Sequence, residues 1–190
     1  MDTSGGPESG FVGLDAQVVW QGRRVGMERR AFLDPDGVRF DREFMMHPGA
    51  VGVIAVNDEG FVTLVRQFRG PMGTTVLEMP AGTCDVPGEP AEETARRELA
   101  EEVGLVASRL ELLAPLPVSP GVSNQVTRVF LATGLSGCPT EREGPEERWM
   151  TVEQVRLGDV IAMAADGELI DAPTVAGVAL ARHALENRDG

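Results

Sequence analysis

The chain contains no tyrosine and no lysine, so all 17 of its basic residues are arginine. Aromatic residues are scarce, at 5%, and there are only two cysteines and two histidines. Each shortage removes a class of explanation. Cys84 and Cys138 cannot build a disulfide framework. Cys84 lies in a glycine-containing loop, but His47 and His183 sit in unrelated contexts, so no thiol–imidazole pair is indicated and Cys84 reads as a packing residue. No long apolar run and no secretory-type hydrophobic stretch occurs, so a soluble cytoplasmic protein without a membrane partner is expected. A basic surface is also missing. The net charge of −13 argues against a nucleic-acid partner held through its phosphate backbone. An acidic protein can still take a small anion where metal ions and local arginines reverse the field.

What is present is concentrated between Gly82 and Leu105. The stretch opens as a loop with two glycines, and Gly88-Glu89-Pro90 reads as a helix start, because proline is pre-set for the first helical position and acidic residues suit the positive end. Good helix formers continue to Val103, and Gly104 is a stop. At 100° per residue, Ala91, Ala95, Leu99 and Val103 form one apolar stripe. Glu98 and Glu102 fall beside it on the Ala91/Ala95 side, and Glu101 lies further round. Carboxylates flush with a buried stripe are costly unless paired or bound to a cation. Arg97 is spaced to pair with Glu93 and Glu101 at i,i+4, which leaves Glu98 and Glu102 without an obvious partner in the helix. Clustered oxygen ligands of this kind suit Mg²⁺ or Mn²⁺, and the alternative on the helix alone is a solvated acidic face.

Residues 97–105, R-E-L-A-E-E-V-G-L, fit the pattern R-E-U-x-E-E-x-G-U (U aliphatic), and Glu89 stands eight before Arg97. This resembles the Nudix box. The pattern's leading Gly is expected at Thr83, whereas Gly82 comes one position early, as after a one-residue insertion in the loop. Over about residues 38–155 the order L-V-R-Q-F-R, E-M-P-A-G, box is similar to the ADP-ribose pyrophosphatase branch of the family, including Arg42 to Val51. The resemblance implies an α/β/α sandwich with a mixed sheet. It also implies two or three Mg²⁺ or Mn²⁺ ions held by Glu98, Glu101, Glu102 and the Ala81 carbonyl, with Arg97 and Glu93 supporting the ligands. A homodimer whose base pocket uses both chains is implied as well. Pro120, fifteen residues past the box, is what members acting on ADP-ribose show, whereas tyrosine is usual near there in those acting on dinucleoside polyphosphates.

The rest of the chain supports a division into residues 1–10, Gly/Ser/Pro-rich and disordered, 11–47, a small antiparallel unit, and 48–190, the main domain with a C-terminal helix. Strands are expected at 16–20, 25–33 and 38–45, with Trp20 read as core more readily than as a base-stacking ring. A hairpin follows at 50–56 and 61–68, and 76–82, 110–117 and 125–132 also read as strands. Arg66 and Arg69 are candidates to neutralise substrate phosphates, and Glu78 to contact substrate or a structural partner. The acidic run 140–148 reads on composition as a solvated loop. In the branch it resembles, a loop at this place supplies a catalytic carboxylate, so Glu143, Glu146 and Glu147 join Glu101 as catalytic candidates. Thr151-Val152-Glu153-Gln154 has the form of a capping box starting a short helix. Helices are expected at 159–165 and 172–186, the latter with Val178, Ala181 and Leu185 on one face. The expected activity is metal-dependent hydrolysis of ADP-ribose to AMP and ribose 5-phosphate. The alternatives are a UDP- or GDP-hexose pyrophosphohydrolase and a non-catalytic ADP-ribose sensor.

Overall fold

The computed structural model describes residues 9–142 and 144–188. The expected disorder of the N-terminus therefore falls, for residues 1–8, outside the described residues, and so does Glu143. The chain divides into two compact units: Met1–Gly49 with Pro117–Val126, and Ala50–Leu116 with Thr127–Gly190.

The first unit is an antiparallel meander of β1 (Val12–Gln21), β2 (Gly26–Leu33) and β3 (Arg39–Met46). The turn between β2 and β3 is set by Asp34, whose Oδ1 accepts from the amides of Asp36 and Val38 at 3.0 and 2.8 Å. Beyond the division expected from sequence, Pro117–Val126 joins this unit: Met45 N–H donates to Val122 O at 2.8 Å and His47 N–H to Asn124 Oδ1 at 2.8 Å. Together they line an open cavity of about 530 Å³ bordered by Phe11, Phe32, Phe40, Phe44, Arg42 and Pro120. Phe32 and Phe40 stack at 5.5 Å, and the Arg42 guanidinium sits 4.7 Å from the Phe40 ring centre. Trp20 is not a core residue. It is 55% exposed, and with Val18 and Val19 it leaves β1 with open apolar surface.

In the second unit β4 (Ala50–Val56), β5 (Phe61–Arg69), β6 (Thr74–Glu78), β7 (Ala81–Thr83), β8 (Leu105–Pro117), β9 (Val126–Gly137) and β10 (Thr151–Arg156) form one sheet. Its order is β10-β5-β4-β9-β8, with β6 on β5 and β7 on β4. β4 pairs parallel with β9 and antiparallel with β5, so the sheet is mixed. Alternation along β4 divides the core into two layers. Val51, Val53 and Ala55 meet α1 (Ala91–Val103) through Ala95 and Leu99. Ile54 and Val56 meet α3 (Val160–Ala165) and α4 (Ala172–Glu186) through Val160, Val178 and Ala181. The result is the expected α/β/α sandwich. α2 (Gly144–Arg148) is a single short helix within the acidic run.

Two local expectations are corrected. The strand expected over 76–82 is two strands, β6 and β7. Pro80 has no amide to give a ladder and its carbonyl instead accepts from Val53 N–H at 2.9 Å. Thr151–Gln154 begins no helix. It is β10, paired with β5 from Thr151↔Arg66 to Arg156↔Phe61. The β-branched Thr151, Val152 and Val155 suit that place on β5, and the pairing supplies more hydrogen bonds than a local cap could. Leu131 is fully buried in the α4-side layer, so Leu131→Ala is expected to lower unfolding free energy by about 2–5 kcal/mol. Chemical denaturation of the metal-free protein measures it.

Candidate active site

The apolar stripe of α1 determines where its acids go. Ala95 and Leu99 are buried against β4 and β9, with Ala91 and Val103 at the margin. Pro90 is the residue before the first helical turn rather than within it. At the other end Gly104 takes φ 67°, and a Cβ there would lie 2.7 Å from the Cys138 carbonyl. With the stripe docked, Glu98 and Glu102 are pressed beneath β7.

Glu102 is only 4% exposed, and its Oε2 accepts from the Ala81 amide at 3.0 Å. Burial pushes its carboxyl up to about 8; the Ala81 N–H pulls against this, and the charges of Glu98 and Glu147 add to it. Glu98 is pushed up to about 7, again chiefly by burial, with Arg97 opposing and Glu101 and Glu147 adding. The fit beneath β7 is close: a Cβ on Gly82 would stand 2.0 Å from the Glu98 carboxyl carbon. A larger residue here would displace the Glu98 carboxylate from its present position.

Arg97 is the hub of the surrounding charges, though not in the way its spacing suggested. Its Nη1 donates to Glu98 at 2.9 Å and to Glu101 at 3.0 Å, while Nε and Nη2 reach Glu89 at 3.3 Å each. Glu93 is not its partner, because the Glu89 carboxylate outside the helix takes that side of the guanidinium. Glu98 therefore has a partner in its own helix, against expectation. Thr94 Oγ1 also donates to Glu89 at 2.8 Å, and the two donors hold the Glu89 carboxyl below its usual range. Among the described residues Glu102 has no ion-pair partner.

The acidic run is fastened to the same helix. Glu141 N–H donates to Glu101 O at 3.1 Å, and Arg142 donates from Nε to Glu102 O and from Nη1 to Met150 O, each at 2.9 Å. Sequence reasoning missed Arg142; its position within an otherwise acidic run was the available signal. Of the loop acids, Glu147 raises the carboxyl pKa of both Glu98 and Glu102. Arg66 pairs with Glu153 at 2.7 Å, and Arg69 with Glu78 at 2.5 Å. Glu78 is buried, which raises its pKa, with Arg69 opposing. Pro120 lies in the first unit, in the wall of its cavity. Cys84 packs beside the α1 layer, and burial raises its thiol pKa, consistent with a packing role.

Among the described residues no three His, Cys, Asp or Glu side chains form a ready-made metal cluster. The chemistry of the donor set nevertheless fits a hard cation: Glu102 is buried and Glu98, one turn away on the same helix, is partly buried, and burial disfavours their charge until a cation compensates it. Glu101 could join them by exchanging Arg97 for the ion.

Residues 46–172 match the family model of the NUDIX domain. The chain belongs to the Nudix family. It is 41% identical over 140 residues to an ADP-ribose pyrophosphatase of Bacillus subtilis, covering 74% of this chain and 75% of that one. It is 36% identical over 178 residues to the ADP-ribose pyrophosphatase of Mycobacterium tuberculosis, covering 94% and 86%. A crystal structure of an ADP compounds hydrolase superposes with a TM-score of 0.80 at 25% identity, covering 94% of this chain and 95% of that one. The Nudix box thus lies on α1 and the loop before it, and this chain is a pyrophosphohydrolase of that family.

The raised carboxyls have a consequence for stability. An unfolded glutamate titrates at about 4.3, while burial pushes the folded Glu98 and Glu102 carboxyls up to about 7 and about 8. As pH rises through this interval the unfolded chain releases these protons first, so this pair's contribution weakens folding from about pH 4 to pH 8. Glu102→Gln removes one share of the penalty. In EDTA its melting temperature is expected to exceed that of the parent by a margin that grows from pH 5 to pH 8, and added Mg²⁺ should stabilise the parent more than the variant. Calorimetry across that range measures both.

Proposed function

We propose that this Nudix enzyme hydrolyses the diphosphate bond of ADP-ribose to AMP and ribose 5-phosphate, using Mg²⁺ or Mn²⁺ at two or three positions. The observation that carries this reading is buried Glu102 with partly buried Glu98 beneath β7, in a chain whose relatives include ADP-ribose pyrophosphatases. Glu98, Glu102, Glu101 and the Ala81 carbonyl would hold the ions. Divalent ions there supply Lewis acidity to the phosphate oxygens and lower the pKa of water.

The protein's own residues do the rest. Glu147 accepts the proton of the attacking water as its oxygen bonds to one phosphorus. The P–O–P bridge breaks on the far side, and the departing phosphate keeps the bond's electrons. Arg97 orients Glu98 and Glu101. Arg69 and Arg66 meet phosphate oxygens by exchanging part of their present carboxylate contacts, and Glu78 keeps Arg69 in place. Homodimer formation belongs to the same reading, supported by the exposed Val18, Val19 and Trp20 of β1.

Chromatography of products from ADP-ribose, UDP-glucose and GDP-mannose decides the substrate. AMP from ADP-ribose should predominate, and faster release of UMP or GMP would overturn the choice in favour of a nucleotide sugar. Glu147→Gln should lower kcat about 10²-fold, with Glu146→Ala near the parent. Light scattering should give twice the chain mass.

A further inference from the structure

Three hydrogen bonds from three different elements converge on Met79-Pro80-Ala81, the crossing between β6 and β7. Ala81 N–H donates to Glu102 Oε2 on α1 at 3.0 Å, and Pro80 O accepts from Val53 N–H on β4 at 2.9 Å. The third comes from the opposite layer of the sandwich. Met79 N–H donates to Thr174 Oγ1 on α4 at 2.8 Å, and that hydroxyl donates onward to Asp171 Oδ2 at 2.6 Å. Asp171 also caps α4, accepting from Thr174 N–H at 2.9 Å. Capping needs only the carboxylate and the amide. The Thr174 hydroxyl, fully buried, is additional to the cap and links it to Met79.

Proline makes that link necessary. Pro80 offers no amide, so the Met79 N–H is the last donor that can fix the chain before Ala81. An O–H already given to a carboxylate is a better acceptor, because bonds in a chain polarise one another. Met79 also follows Glu78, the buried partner of Arg69, so the same anchor fixes the neighbouring guanidinium.

We propose that Thr174, backed by Asp171, is a positioning residue for the active site. It holds the Met79–Ala81 crossing against α1 so that the Ala81 carbonyl and the Glu98 and Glu102 carboxylates face one divalent ion together. This inference rests on the assignment of Ala81, Glu98 and Glu102 as metal ligands. Thr174→Val keeps the side chain's shape and removes the hydroxyl, and Thr174→Ser restores it.

The test is Mn²⁺ binding to the full chain without substrate, followed by electron paramagnetic resonance of the free ion, alongside kcat and KM for ADP-ribose. Thr174→Val should weaken Mn²⁺ binding about tenfold and lower kcat more than it raises KM, with Thr174→Ser within about twofold of the parent. Mn²⁺ affinity and kcat unchanged in Thr174→Val, even with a lower melting temperature, would reduce Thr174 to a helix-cap residue and overturn the proposal. If valine prevents folding, Thr174→Ala decides by the same titration. A parent protein that binds no Mn²⁺ would instead refute the ligand assignment, and this inference with it.

Discussion

One buried and one partly buried carboxyl group beneath a strand are the constraint on which this fold turns. α1 is driven into the sheet by Ala95 and Leu99, and the same rotation carries Glu98 and Glu102 inward. Apolar burial is the stronger influence on the helix, since two fully buried aliphatic contacts outweigh the preference of one or two acids for solvent, particularly when those acids can stay protonated. The penalty appears as raised carboxyl pKa values rather than as a displaced helix. In the proposed reaction, metal binding would relieve it.

The surroundings limit that penalty without removing it. Arg97 divides its donors among Glu89, Glu98 and Glu101, so one guanidinium restrains three carboxylates on one side of the helix. Glu102 receives one backbone N–H and, among the described residues, no ion pair, with only the more distant charge of Arg69 opposing its raised pKa. The two inner acids are thus unequal. Glu98 is partly compensated by the Arg97 guanidinium already in the helix, whereas Glu102 relies chiefly on its hydrogen bond from Ala81.

Much of this was legible in the sequence because helical periodicity is local. The stripe and the two acids beside it are fixed by the order of residues in one helix, and α4 occupies Ala172–Glu186 as its periodicity suggests. Contacts that span the fold were not legible. Arg97 turning to Glu89 instead of Glu93 depends on the path of the loop before the helix, and Arg142 depends on that loop's counterpart near residue 140. Thr151–Gln154 looked like a helix start because a capping box is local information; the free edge of β5 that claims it is not. Trp20 failed for a related reason, since hydrophobicity says that a side chain is apolar but not whether a second layer covers it.

The Arg142 guanidinium bridges the Glu102 and Met150 carbonyls. It therefore couples the backbone of the acid-bearing loop to the last turn of the ligand helix. Swinging that loop outward would strip a charged donor from the carbonyl end of α1 and loosen Glu102 at the same moment.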